Sequence, residues 1–148
     1  MNTMDKPARA GIWPGVVALV WIGLVLGVSL LATPIKFQAP SLDLAVGLDV
    51  GRHTFAALNL VEIVTLAVLA VIVILGARTP IMLAAIAGLA VLVASQTMWL
   101  LPALDARVEI YLSGEVPPAS ALHNIYVVVE GLKLLILAGI AILSLRRA

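Results

Sequence analysis

Near the start of the last apolar stretch, the segment HNIYVVVEGLK (residues 123–133) places reactive side chains on one helical face. At 100° per residue, His123, Tyr126, Glu130 and Lys133 fall within an arc of roughly 80°. Nearly everything around them is Val, Leu, Ile, Ala or Gly. The stretch is long enough to cross a bilayer, so a carboxylate and an ammonium enter hydrocarbon, at about 2.5–3.5 kcal/mol each near a helix centre. Groups carried there pair, face a wet cavity or act on something. A second acid, Glu62, reaches a similar depth counted from its own helix start, with Asn59 and Thr65 on its face. Gln96, at the far end of the third apolar stretch, can line the same cavity.

Two chemistries fit this set. In the structural one, Lys133 neutralises one carboxylate, the other keeps its proton, and the trio locks two helices together. In the functional one, Glu62, Glu130, Lys133, Tyr126, His123, Asn59 and Gln96 form a ligand pocket or proton site. Glu130, one turn from Lys133, is then the ionised partner and Glu62 the protonated acid. A hydrolytic triad has no support, since no serine sits in a nucleophile-elbow context, and P-loop and dinucleotide fingerprints are absent. An enzyme working on a membrane-soluble substrate through His123, Tyr126 and Glu130 is the lesser reading. No cofactor and no metal is assigned. His53 and His123 are the one candidate pair for a haem or metal, and the Glu-x-x-His arrangement of di-iron bundles is missing. His123 and Glu130 are roughly 10 Å apart along a helix, too far for one ion.

The elements that must hold these residues follow from composition. The chain has 148 residues, 63% hydrophobic, with only 11% charged and a mean hydropathy of +1.17. A soluble domain carries about 25% charged residues, so the class is an all-α membrane protein folded as one domain over residues 1–148. No basic block suggests nucleic acid, and without cysteine there is no disulfide or thiolate chemistry. The spans are expected at about 12–33, 54–76, 80–101 and 120–145, a four-transmembrane-helix bundle. Pro14 and Pro80 sit in first turns, whereas Pro34 and Pro102 close helices. Ser120 can cap the fourth helix. Gly23, Gly27 and Gly88 mark helix-packing surfaces.

Residues 41–50 and 104–113 alternate strictly between apolar and polar, the period of a strand. They can pair as a short two-stranded extracytoplasmic cap. Lys6, Arg9, Arg78, Arg146 and Arg147 fall at one end of the bundle, against Lys36, Arg52 and Arg107 at the other. That bias puts both termini in the cytoplasm of a multi-pass inner-membrane protein. The partners are the lipid bilayer, a small ligand or lipid, and a second copy or a larger membrane complex. As an alternative to ligand binding, the chain is an accessory or assembly subunit whose buried charges are purely structural.

The stretch WIGLVLGVSLLATPIKFQAPSLDLAVGLDVGRHTFAALNLVE (residues 21–62) resembles the first half of small bacterial four-helix membrane proteins of unknown function. In those, a Gly-bearing helix runs into a Pro-x-x-Phe turn, here Pro34 to Phe37, and a Gly-x-x-x-Phe sequence, here Gly51 to Phe55, opens the next helix. The pattern, over roughly residues 20–65, is distantly similar to copper-resistance CopD-type membrane domains. The resemblance implies membrane location and four helices. Methionine and histidine are too sparse here for copper handling to transfer.

Overall fold

Apolar runs in hydrocarbon must satisfy every backbone group internally, which favours helices over open strands. In the computed structural model, which describes residues 6–76 and 78–146, the chain forms four long helices. The first, α1 (residues 6–36), is α-helical over Lys6–Val25, π-helical over Leu26–Ala32 and α-helical again over Thr33–Lys36. Helix α2 is Leu44–Gly76. Helix α3, Pro80–Leu112, carries a π-helical stretch at Gln96–Leu100. Helix α4 is Leu122–Leu145. All four are long and apolar enough to span a membrane. Packing runs α1 on α2, α2 on α3, α3 on α4 and, most extensively, α4 on α1, closing an antiparallel ring. Its dry core joins Trp21, Val25, Leu69, Val73, Leu89 and Leu137 with their neighbours. The outer surface carries exposed Leu75, Met98 and Leu135, the apolar kind of side chain that a span presents to lipid. The chain is a multi-pass membrane protein.

The expected two-stranded cap is absent. Among the described residues there is no strand, and both alternating segments are helical. Asp43, placed on a strand's polar face by the alternation, instead starts α2: its carboxylate accepts the Ala45 N–H at 2.8 Å. Once α2 is nucleated in the membrane, extending it adds one hydrogen bond per residue without a new nucleus. Residues 101–112 include three Leu, two Ala, one Arg and one Glu, all good helix formers. The two extensions meet side by side. Arg52 of α2 donates from Nε to Asp49 at 2.7 Å and from Nη1 to Asp105 at 3.2 Å and to Glu109, both on α3. A charged clasp replaces the strand pairing.

Pro34 and Pro102 do not close their helices. A proline ring collides with the carbonyl four residues back and lacks an N–H. Each is preceded by a π-helical stretch whose bonds skip one residue further. The Thr33 N–H bonds the Val28 carbonyl, and the Leu101 N–H bonds the Gln96 carbonyl. The Thr33 hydroxyl adds a second bond to Val28 at 2.8 Å. The widened turn absorbs the ring, and both helices run on. Helix α3 ends instead at Gly114, whose φ of +86° lets the Glu115 N–H return to the Ile110 carbonyl at 3.1 Å. The short turn into α3 uses Thr79 as cap, accepting the Met82 N–H, with Pro80 first in the helix.

At 33 residues, α2 is about 50 Å long and exceeds the roughly 30 Å hydrocarbon slab. Its start and the end of α3 lie side by side at one end of the bundle, joined through Arg52. They form the walls of the site.

Candidate functional site

Four helices each send polar side chains to one buried level. Lys133 and Glu130 come from α4, Glu62 from α2, Gln96 from α3 and Trp21 from α1. Lys133, at 0% exposure, Glu62, Gln96 and Glu130 are all withdrawn from the surface. Lys133 Nζ donates to Glu130 Oε1 at 3.0 Å and to Glu62 Oε1. Trp21 Nε1 donates to the same Glu62 oxygen at 2.9 Å, and Gln96 Nε2 to the same Glu130 oxygen at 2.8 Å. One ammonium therefore bridges two carboxyl groups, and the bridged oxygen of each also accepts from a neutral donor. Tyr126 is buried in the same cluster, near Glu130, and its ring meets Phe55 edge-on at 5.2 Å between centroids. Glu130 Oε2 and Gln96 Oε1 are buried without a partner. Unpaired polar atoms at that depth are costly.

The π-helical stretches border this cluster. Each adds a residue to a turn and so rotates everything beyond it around the helix. On α3 the stretch begins at Gln96, the residue that bonds Glu130. On α1 it lies just past Trp21 and Val25 and contains Ser29, whose hydroxyl is buried and unpartnered.

Directly above the cluster a cavity of about 750 Å³ opens toward the start of α2 and the end of α3. Asn59 and Thr97 belong to its lining, and the Thr97 hydroxyl lies 2.9 Å from Asn59 Oδ1 and 2.8 Å from the Val93 carbonyl. Its single proton serves one of the two at a time. Asn59 Nδ2 is buried and has no partner. Asn59 sits three residues before Glu62, a rise of roughly 4.5 Å along α2, so the floor of the vestibule is one turn from the charged cluster.

Of the residues singled out in the sequence, Glu62, Glu130, Lys133, Tyr126 and Gln96 are gathered in the cluster, and Asn59 lies at the vestibule floor. His123 is exposed and lines the vestibule rather than the cluster. His53 lines the same cavity, with Nδ1 at 2.9 Å from the Asp49 carbonyl. Among the described residues no group of three or more His, Asp or Glu side chains is arranged to hold a metal ion. Thr65 leaves the set, since its hydroxyl turns back to the Val61 carbonyl at 2.7 Å. Lys133 touches both acids, so proximity does not divide them into one ionised and one neutral partner. They are a coupled pair.

The glycine surfaces divide. A Cβ on Gly88 would lie 3.4 Å from Ile136, within the seam of α3 and α4, whereas on Gly23 or Gly27 it would meet nothing within 4 Å. The tight contact of α1 is at Gly15, where a Cβ would stand 3.0 Å from Ser144 of α4.

Sequence reading passed over Trp21, Thr97, Lys36 and Arg107. For Trp21 there was a usable signal: indole N–H groups buried in hydrocarbon need an acceptor, and this tryptophan lies mid-helix rather than at an interface. Thr97 lies inside the expected third span and carried no distinguishing signal, whereas Lys36 and Arg107 reach the cavity wall through the unbroken course of the helices past Pro34 and Pro102.

Fold and site together define a helical multi-pass membrane protein with an internal network of charged and polar side chains. The chain finds no match among family models, curated proteins or solved structures.

Proposed function

We propose that this is an inner-membrane protein whose vestibule binds or moves a small ionic or amphipathic ligand, with the Glu62–Lys133–Glu130 cluster as its proton-exchanging base. The observation that carries this reading is the 750 Å³ cavity lined by Asn59, one turn above Glu62. Two carboxyl groups share one ammonium, so the cluster carries one more acid than base. A ligand charge arriving above them changes the balance of that pair.

In this reading both termini are cytoplasmic and the vestibule faces outward, because the basic residues concentrate at the opposite end. Alkaline phosphatase fused after Ala148 is expected to be inactive and a cytoplasmic fluorescent reporter there to be bright. The reverse pattern would invert the orientation.

A second reading, an accessory subunit with purely structural charges, is favoured by the open backbone at Gly23 and Gly27, which leaves a small-residue surface free for another chain. Native mass spectrometry of the chain released from membranes separates the two. Ligand binding predicts a small retained mass that disappears when Asn59→Leu and Thr97→Val make the vestibule floor apolar. A bare chain in both cases, or one stoichiometric protein partner, favours the subunit.

A further inference from the structure

We propose that the occupant of the vestibule is an anionic amphiphile with a compact, doubly charged head of the phosphate-monoester kind. This rests on the ligand-binding reading of the cavity and adds the chemistry of the ligand. Lys36, Arg52 and Arg107 line the cavity with His53 and His123, against a single acid, Asp105. Asp105 is already engaged by Arg52, which also gathers Asp49 and Glu109. Among the described residues, neither Lys36 nor Arg107 has a carboxylate within ion-pair distance. With the nearby carboxylates of Asp49, Asp105 and Glu109 all gathered on Arg52, Lys36 and Arg107 line the cavity with their ion-pairing capacity unused, and an anionic head can engage both.

Lys36 is also seated rather than trailing into solvent. Its Nζ lies 2.8 Å from where a Cβ on Gly51 would stand, and 4.9 Å from the centre of the Phe37 ring. The glycine makes the room for the ammonium. Phe37 is packed the same way, 2.6 Å from the Cβ position of Gly47. The rest of the wall is apolar, with Leu48, Phe55, Leu101, Leu104 and Val108 available to a tail. A head of two charges and an apolar tail match both parts of the lining.

Calorimetric titration of the full chain in maltoside micelles tests this with dioctanoylphosphatidic acid, dioctanoylphosphatidylcholine, dioctyldimethylammonium and inorganic phosphate as probes. The phosphatidic acid is expected to bind saturably and more tightly than any other probe. Lys36→Gln with Arg107→Gln is expected to weaken it at least about tenfold, the loss of charge-assisted bonds. Gly51→Leu should weaken it as well, by filling the seat of Lys36. Arg78→Gln, at the opposite end, should leave it unchanged. Circular dichroism confirms that each variant is folded. Inorganic phosphate binding as tightly as the lipid would overturn the amphiphile and make the ligand a free anion. Saturable binding of the ammonium probe alone would overturn the anionic head while leaving a ligand-binding vestibule. An unchanged affinity in the Lys36/Arg107 variant refutes the site, and no saturable binding of any probe refutes the vestibule reading with it.

Discussion

Lys133→Ala is expected to destabilise the bundle by about 3–5 kcal/mol, the cost of stranding buried charge by removing one partner of a buried pair. Lys133 is fully buried and bridges Glu62 and Glu130. Adding Glu62→Ala removes part of the excess acid and should restore part of the loss. A double-mutant cycle, read by denaturant unfolding in mixed micelles, is then expected to give an interaction energy of at least about 1 kcal/mol. An interaction energy of zero would mean that Lys133 serves Glu130 alone. Replacing all three groups by leucine, with Trp21→Phe and Gln96→Leu so that neither donor to the cluster is stranded, carries a different expectation. Apolar replacements of buried ion networks are often neutral or stabilising, so this variant should be near wild type in stability. That result would separate the cluster from any purely structural role, because the fold would be as well served without it.

Trp21→Ala is the second large effect, about 3–5 kcal/mol, as for other buried large aromatic side chains. Trp21 has 0% exposure, belongs to the dry core and donates to Glu62. Trp21→Phe keeps most of the packing and removes only the N–H, and is expected to cost about 1–3 kcal/mol. The difference between the two variants, measured in the same unfolding assay, gives the packing share. Equal losses would show that the hydrogen bond to Glu62 carries the whole contribution.

Trp21 also shows why the site was only partly legible. Glu62, Glu130 and Lys133 announce themselves because charge inside an apolar run has a large transfer cost that no neighbour in sequence offsets. Tyr126 follows from helical spacing on the same face. A tryptophan in an apolar run carries only the weaker mark of its single N–H, since most of its surface belongs in hydrocarbon anyway. The four spans were legible for the same thermodynamic reason, with long apolar runs separated by polar connections. The connections themselves were not. Alternation at 41–50 and 104–113 reflects one helix end that meets both water and lipid, with Leu44 and Val46 left exposed, rather than the two faces of a strand. Proline read as a stop at Pro34 and Pro102 because the rule supposes an α-helical preceding turn. The π-helical stretches cancel that rule, and nothing in the residue types of LGVSLLA or QTMWL declares them. The vestibule depends on both of these departures, so its lining was out of reach of pattern reading.

Because the chain has no cysteine, a single introduced thiol reports on one position without background. The most direct test of an outward vestibule reaching down to the charged cluster is Asn59→Cys in spheroplasts, treated from outside with a membrane-impermeant methanethiosulfonate reagent. Val73→Cys, in the dry core, serves as the unreactive control. The predicted result is labelling of the Asn59→Cys thiol from the outer face, with none in the control and none when reagent is confined to the cytoplasmic side. A thiol at that position that stays unlabelled from outside, or reacts only from the cytoplasm, would contradict it.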